Sequence, residues 1–226
     1  HSFPTRRSSD LTWIAFDKVD FGDDGADTIH IPIFTFNPTA KIEVWDGMPD
    51  SRGTCLGKFT YEHESVYNTY NENVFTLNRR LFGVHTITIA MTEEYYFHGF
   101  YFDQTPKAFA KLRALDSDNI SGDTFTLAAE AVEGIGNNVS IDFGKMNFAE
   151  KSAHRLTICG KSNTENNTIN VKFFADDGSS TTQVLEFAHT DGYEEKSFEI
   201  VPVTGALKIS FVFLPGCNFD FKWFKF

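Results

Sequence analysis

The second half of the chain repeats part of the pattern of the first half, with identical residues at scattered matching positions, and this duplication limits the fold more than any other feature. Residues 16–45 match residues 143–172 at a constant spacing of 127 positions. The matched pairs are Phe16 and Phe143, Lys18 and Lys145, Phe21 and Phe148, Ala26 and Ala153, Ile31 and Ile158, Ile42 and Ile169, and Val44 and Val171. Beyond loops of unequal length, the match resumes from Tyr70 with Tyr193 to Phe102 with Phe226. Two copies of one domain are therefore predicted, each near the ~100 residues of a two-sheet antiparallel sandwich.

Short runs rich in β-branched and aromatic residues recur between turn signals. They include TIHIPIF, AKIEVW, HTITIAM, TINVKFF and ALKISFVFL. Asn-Pro, Asp-Gly and Pro-Gly pairs separate them, which is typical of strands joined by tight turns. The one helical candidate, PKAFAKLRAL at 106–115, is equally compatible with an extended linker containing one turn. The sequence therefore predicts an all-β protein of two tandem β-sandwich domains.

The first eleven residues differ from the rest of the chain. The segment HSFPTRRSSDL resembles a short-read sequencing adapter translated in frame, with a vector scar or a genuine polar leader as the alternatives. We expect residues 1–11 to contribute nothing to the fold. We also expect the chain to be a C-terminal fragment of a longer protein, from assembled environmental DNA. The remainder is predicted to form a first domain at 12–103, a linker at 104–117 and a second domain at 118–226.

The charge balance limits the kinds of partner. The chain has 20 Lys and Arg residues against 31 Asp and Glu residues, a formal net charge of −11. Nucleic acids and anionic membranes are held by Lys and Arg side chains, so neither partner is predicted. No apolar run approaches the ~20 residues of a membrane span. The 25 phenylalanines are enough to fill two separate cores of modest size.

Chemically reactive residues occur without the spacing that catalysis requires. The sequence contains no nucleophile elbow, phosphate-binding loop or zinc-protease motif. Its acidic residues show no pairing of the kind that glycosidases use, and no catalytic residue is assigned. The three cysteines fit no metal or redox motif. They leave open a Cys159–Cys217 bridge and the compartment, extracellular or cytoplasmic.

One segment of the first copy carries a family likeness. Residues 42–91 read IEVWDGMPDSRGTCLGKFTYEHESVYNTYNENVFTLNRRLFGVHTITIAM. The order of strand, Gly-containing turn, Leu-Gly pair, aromatic pair, closing strand and glycine before a further strand resembles the family 6 carbohydrate-binding modules. The likeness covers 12–103 as a module without its first strand or two, and the second copy as a complete module. It implies a jelly-roll, galactose-binding-like fold, no catalytic residue, and a polysaccharide or oligosaccharide as partner.

A second likeness concerns phrases in both copies. The phrases VDFGDDGAD, IEVWDGMPD, VEGIGNNVSIDF and FVFLPGCNFDFKW resemble the C-terminal tandem modules of bacterial β-galactosidases of glycoside hydrolase family 2. This resemblance implies an N-terminal catalytic domain in the parent chain, which the modules hold to polysaccharide or glycan. The alternative is an accessory sandwich that spaces or docks the domains of a larger enzyme without binding sugar. Neither likeness names the sugar.

The family resemblance assigns two sugar-binding residues. Tyr67 takes the position of the family's stacking aromatic, three residues before Tyr70. These two positions have opposite parity on a strand, so one ring can be exposed while the other packs inside; an ordinary edge tyrosine is the alternative for Tyr67. The second copy has Thr190 where the stacking ring is expected, which leaves its cleft in doubt. Asn218 resembles the family's ligand-binding asparagine, with a plain turn residue as the alternative.

Trp13 is a third candidate for sugar binding. It aligns with Ser140, whose parity is opposite to that of Val139 and Ile141. We therefore expect the Trp13 side chain to point away from the core. An outward tryptophan on a sheet face is a candidate platform for a second sugar site.

A structural calcium ion, which is common in the family, is the one cofactor that the resemblance implies. Glu130 on an early strand and Asp220 near the last strand are the matching candidates in the second copy. Calcium takes six to eight oxygen ligands, so a complete site requires oxygens beyond these two carboxylates.

Overall fold

The computed structural model describes residues 12–226. The segment 1–11, interpreted as a translated adapter, lies outside the described residues. The chain divides into two compact units, the first ending at Thr105 and the second spanning Pro106–Phe226.

The first unit contains two sheets. Its strands are β1 (Thr12–Asp20), β2 (Ala26–Phe34), β3 (Thr39–Met48), β4 (Ser51–Glu62), β5 (Asn71–Leu81), β6 (Val84–Met91), β7 (Tyr96–Phe97) and β8 (Tyr101–Phe102). One sheet has the order β1-β6-β3-β4, and the other has the order β5-β2-β7 with β8 also paired to β2. All pairings are antiparallel.

The first core follows from the period-2 alternation of its strands. In β2, Ile29, Ile31 and Ile33 are fully buried, while the residues between them are partly exposed. Successive side chains of a strand point to opposite faces, so these isoleucines share one face. The same core contains Ile42 of β3 and Ile89 of β6. Side chains from both sheets therefore fill one layer between them.

The second unit also contains two sheets. Its strands are β9 (Leu112–Arg113), β10 (Asn119–Ser121), β11 (Thr126–Leu127), β12 (Val132–Ile135), β13 (Val139–Asn147), β14 (Ala153–Ser162), β15 (Asn166–Ala175), β16 (Ser180–Ala188), β17 (Glu194–Val203), β18 (Ala206–Phe213) and β19 (Phe219–Lys225). The sheet orders are β10-β13-β18-β15-β16 and β11-β12-β19-β14-β17, with β9 also paired to β19. The prediction of an all-β protein with a β-sandwich fold is confirmed.

The two units share strand order and local detail. The order β1-β6-β3-β4 recurs as β13-β18-β15-β16, and β5-β2-β7 recurs as β17-β14-β19. The β1–β6 register shifts after Phe16, and the β13–β18 register shifts after Phe143, which is the matching residue. The N–H of Phe21 donates to the carbonyl of Gly83 at 2.8 Å, and a 2.8 Å bond joins the equivalent residues, Phe148 and Gly205. Residues 12–105 contain no counterpart of β10, β11 or β12.

Phenylalanine dominates the second core. Phe211, Phe213, Phe219, Phe221 and Phe224 are all fully buried, and their rings form a continuous set of aromatic contacts. The three cysteines are free, so the bridge that the sequence left open is not formed. Burial raises the pKa of the two cysteines of this unit, as expected for thiols in an apolar setting.

The segment predicted as a linker at 104–117 belongs largely to the second unit. Instead of an α-helix at 106–115, it forms 3-10 turns at Lys107–Phe109 and Ala114–Asp116 around strand β9. The segment packs against the unit through four alternate residues that are buried: Ala108, Ala110, Leu112 and Ala114. Their period of two fits an extended chain against the unit and does not fit a helix. Residues 12–226 contain no helix that is long and apolar enough to cross a membrane.

Arg80 joins three parts of the first unit. Its Nε donates to the carbonyl of Asp24 at 2.8 Å, and its guanidinium also donates to the carbonyls of Gly25 at 2.8 Å and Thr105 at 2.5 Å. Asp27 supplies the countercharge at 3.3 Å. Burial lowers the pKa of the guanidinium, and the Asp27 charge opposes this shift. Arg80 therefore holds the β1–β2 turn and the last residue of the unit together.

Gly25→Ala is expected to destabilise the first unit more than Gly22→Ala. Both glycines have positive φ, +68° and +61°, which costs an alanine roughly 1–2 kcal/mol. A Cβ on Gly25 would also lie 2.4 Å from the Leu81 carbonyl oxygen, whereas a Cβ on Gly22 would meet no atom within 4 Å. Overpacking adds about 1–3 kcal/mol. Equal shifts of the urea midpoint for the two variants would contradict the close contact at Gly25.

Candidate functional site

Six ring-bearing side chains gather at one end of the first sandwich, and we call this set the aromatic end. Its members are Phe34, Phe36, Tyr67, Tyr70, Tyr96 and His98. They come from the end of β2 and the loop after it, from the loop before β5, and from the segment around β7. Three separate connections thus meet at this end.

Tyr67 is the most exposed large hydrophobic side chain of the aromatic end, at 81%. It lies in a tight turn closed by a 3.1 Å bond from the N–H of Thr69 to the carbonyl of Val66. The next residue, Asn68, has a φ of +55°, a conformation that asparagine tolerates better than most residues. The Tyr67 ring lies against Phe34, with ring centroids 6.1 Å apart and ring planes at 83°. Most of the Tyr67 side chain remains open to solvent.

Phe34 forms the floor of the aromatic end. Its side chain is 5% exposed, and it stacks on Tyr96 at 5.6 Å and 25°. Phe36, two residues further along and on the same side of the chain, packs edge-on against Phe34 at 5.0 Å. Phe36 and Tyr96 are 57% and 43% exposed. One buried ring therefore contacts three exposed rings.

Tyr70 and His98 complete the aromatic end on one side. The Tyr70 ring is 4.1 Å from the His98 ring and 6.1 Å from the Phe34 ring. Tyr70 is less exposed than Tyr67, but both lie in the loop before β5 and not on a strand, so the strand parity from which the sequence prediction started does not apply to them. Exposed Tyr67 and half-buried Tyr70 thus present different amounts of ring surface.

Polar groups border the rings. Asn37 donates to a Glu93 carboxylate oxygen at 2.9 Å, and the Tyr96 hydroxyl donates to Glu94 at 3.3 Å. The charge of Glu94 and its hydrogen bond raise the pKa of Tyr96, with smaller contributions from Tyr70 and Tyr67. The Tyr96 hydroxyl therefore lies within electrostatic reach of the Glu94 carboxylate and of the Tyr67 and Tyr70 hydroxyls.

The equivalent end of the second unit lacks these rings. Phe34 pairs with Tyr96 in the first unit, and Lys161 pairs with Asp220 at the matching position of the second. By the same register, Asn163 replaces Phe36 and Lys222 replaces His98. Tyr193, which matches Tyr70, is retained: its hydroxyl donates to Glu133 at 3.1 Å, and the Lys222 ammonium lies 5.6 Å from its ring. The second unit therefore presents a charged and amide-rich surface where the first presents rings.

Asn218 lies exposed at that charged end. Its side-chain oxygen accepts a 3.0 Å bond from Asn163 Nδ2, and its backbone N–H donates to Asn167 Oδ1 at 2.9 Å. Thr190, at the position expected for a stacking ring, is 3% exposed and accepts a bond from the Ser162 N–H. The structure brings Asn218 together with other amides, and no exposed ring takes the place of Thr190.

The expectation of an exposed platform at Trp13 is corrected by the structure. Trp13 pairs with Ala90 and so faces away from Ile89, which is in the core, as its parity predicted. Its side chain is nevertheless only 3% exposed. Strand alternation sets the face of a residue, but exposure also depends on what covers that face, and Ala90 beside it is fully buried. A buried ring has no free face to offer a sugar.

The carboxylates of the expected calcium site are engaged with protein donors. Glu130 forms a 2.6 Å ion pair with Lys222, whose hydrogen bond and charge lower the pKa of Glu130. Asp220 accepts the backbone N–H of Gly134 at 2.8 Å. Within residues 12–226, no group of three or more His, Cys, Asp or Glu side chains is placed to hold a metal ion. Calcium takes six to eight oxygens, and backbone carbonyls can be among them, so the structural calcium ion at Glu130 and Asp220 stays a prediction.

Sequence reasoning identified Tyr67 but missed most of the aromatic end. Phe34, Phe36 and Tyr96 carry no motif of their own. A signal was present in IFTFNP, where two phenylalanines with the spacing of one strand face precede an Asn-Pro turn. The contribution of Tyr96 depends on the pairing of β7 with β2, which a sequence does not reveal.

The family comparison concerns the first unit. The model of the family "Carbohydrate binding module (family 6)" matches residues 9–104. This range contains all six residues of the aromatic end. No curated protein matches the chain.

Several solved structures are similar to the chain at low identity. A family 6 carbohydrate-binding module from Clostridium stercorarium, in complex with cellobiose, is 22% identical, with a TM-score of 0.46 over 53% of this chain and 93% of that chain. A β-1,3-glucan-binding family 6 module from Bacillus halodurans is 16% identical, with a TM-score of 0.44 over 53% and 96%. A family 43 arabinoxylan arabinofuranohydrolase from Bacillus subtilis is 16% identical, with a TM-score of 0.43 over 98% and 53%.

Proposed function

We propose that the chain is a non-catalytic carbohydrate-binding protein and that the aromatic end of the first unit is its binding site. The observation that carries this proposal is the 81% exposed ring of Tyr67, held beside two further exposed rings and a polar border. A sugar has an apolar face of C–H groups and a rim of hydroxyls, which such a surface complements. The family match to residues 9–104 supports the same function.

The first unit alone is proposed to bind sugar by stacking. A single exposed site of this kind is expected to be weak, with a Kd of roughly 0.1–1 mM. The second unit retains Tyr193 but carries Lys161, Asn163 and Lys222 in place of rings. This surface favours a spacing or docking role for the second unit, which is the second candidate function. We further propose that the pair of units targets an attached glycoside hydrolase, such as a β-galactosidase, to polysaccharide.

Tyr67→Ala is expected to weaken glycan binding about tenfold or more, which corresponds to ~1.4 kcal/mol. The change removes an exposed ring without opening a cavity, so the free energy of unfolding should stay within ~0.5 kcal/mol of the wild type. The measurement is affinity gel electrophoresis of the full chain with xylan, β-glucan and galactan, followed by calorimetry on whichever polymer retards it.

Tyr101→Ala is the matched control. Tyr101 is also an exposed tyrosine of the first unit, at 54%, but it stacks on His30 and lies outside the aromatic end. Retardation lost in Tyr67→Ala and kept in Tyr101→Ala supports the site. If Tyr67→Ala is retarded as strongly as the wild type, the sugar-binding site lies elsewhere. No retardation of the wild type by any of the glycans contradicts sugar binding and favours the docking role.

A further inference from the structure

The strand register places a carboxylate in the first unit where the second unit has an amide. Asn163 lies opposite Asn218 at the end of β14, with a 3.0 Å bond from the Asn163 N–H to the Asn218 carbonyl. The register of β2 and β7, in which Phe34 pairs with Tyr96, puts Glu94 in the position of Asn218. The two units therefore offer different charges at one structural position.

The Glu94 carboxylate belongs to the aromatic end. It is exposed, and it accepts the hydroxyl of Tyr96 at 3.3 Å. The carbonyl of the same residue accepts the hydroxyl of buried Thr35 at 2.7 Å, which anchors the backbone beneath it. Glu94 is thus fixed beside the exposed rings by two contacts, one through its backbone and one through its side chain.

A second carboxylate lies next to Glu94. Glu93 precedes it and is oriented by Asn37 at 2.9 Å. Within residues 12–226, neither glutamate forms an ion pair with a Lys, Arg or His side chain. The faces of aromatic rings also carry partial negative charge. A ligand that covers these rings therefore meets a field that opposes anions.

We propose that Glu94 sets the charge specificity of the aromatic end, so that this surface takes neutral glycans and excludes those that carry carboxylate groups. The inference rests on the proposed function. Repulsion between two partly exposed charges a few ångströms apart is large enough to matter at low salt and is screened as the ionic strength rises. The second unit, with Asn218 at the same position, carries no such charge there.

The test compares polymers that differ only or mainly in charge. β-Glucan and galactan are used in neutral form and after oxidation of their C6 hydroxymethyl groups to carboxylates, and xylan is compared with glucuronoxylan. In low salt, the full chain is expected to bind the neutral member of a pair about tenfold or more tightly than the acidic member. The ratio should fall in 0.5 M NaCl, where the Debye length is only a few ångströms.

Variants assign the effect to Glu94. Glu94→Gln is expected to lower the ratio of neutral to acidic affinity severalfold, and Glu94→Lys is expected to bring it to one or below. Glu150→Gln, an exposed glutamate of the second unit, makes the same change in net charge and should leave the ratio unchanged. A ratio near one in the wild type, or an equal ratio in wild type and Glu94→Gln, would overturn the inference while sugar binding stands. Failure of every neutral polymer to bind would overturn both.

Discussion

Arg80→Met is expected to destabilise the first unit by ~3–5 kcal/mol, because several hydrogen bonds from a charged donor, each worth ~1.5–3 kcal/mol, are lost together. Arg80 is 5% exposed, and it satisfies the carbonyls of Asp24, Gly25 and Thr105. Methionine fills part of the volume but donates no hydrogen bond, so these carbonyls would lose the Arg80 donor and the Asp27 carboxylate would lose its countercharge. The hydrogen bonds to Asp24, Gly25 and Thr105 account for most of the expected loss, and the bond to Gly25 is the one that is buried.

Hydrogen exchange followed by mass spectrometry measures this effect separately in each unit. Amides of β2 and β5 should exchange faster in Arg80→Met, while amides of β14 and β18 should keep their wild-type rates. Arg79→Met is the matched control: Arg79 is the neighbouring residue, is about one-third exposed and pairs with Asp46. The control should cost about 1 kcal/mol or less. Similar losses in the two variants would show that the Arg80 contacts do not hold the unit together.

Phe221→Ala is expected to destabilise the second unit by about 3–5 kcal/mol. Phe221 is fully buried, and its ring lies 5.1 Å from Phe211, 6.0 Å from Phe213 and 6.2 Å from Phe224. Truncation leaves a cavity at the centre of a close-packed aromatic core, where rigid rings relax poorly into the vacated space. The loss should therefore lie at the upper end of the range for large-to-small changes.

Urea unfolding measures the loss of stability in Phe221→Ala, and hydrogen exchange shows in which unit this loss occurs. The exchange protection of β13 and β19 should fall in Phe221→Ala, while that of β2 and β6 should not change. Phe174→Ala provides the comparison, because Phe174 is 40% exposed and its truncation should cost less than ~1.5 kcal/mol. If both variants lose equal protection in β19, the packing of Phe221 contributes no more than that of a surface ring.

The sandwich could be predicted from the sequence because its determinants are local. Alternation in segments such as TIHIPIF requires one buried face per strand, and the spacing of 127 positions relates the strands of one unit to those of the other. The segment 106–116 was harder to assign: PKAFAKLRAL has good helix formers, but its buried residues alternate with period two. Tertiary packing overrides intrinsic helix propensity there.

The site was only partly predictable because it depends on contacts between distant segments. Tyr67 was found through the family's aromatic pair, and its exposure follows from the turn that presents it. Phe36 and Tyr96 reach the same surface because β7 pairs with β2. These two strands are far apart in the sequence. For Trp13, strand alternation correctly predicted that the side chain lies on the sheet face turned away from the core. Its burial depends on the groups that cover this face, and alternation does not identify them.

The matching register shifts after Phe16 and Phe143 also bear on how such a chain can change over time. A β-bulge fixes pairing, and a slip by one residue would turn every side chain of a strand to the other face. With pairing fixed in the same way in both copies, substitutions in the loops leave the interior intact, since loops tolerate variation better than the elements they join. In a duplicated sandwich of this kind, the surface loops of each copy can change while the strand pairing of that copy is kept. One copy can therefore acquire aromatic rings and the other amides and charges without loss of the fold.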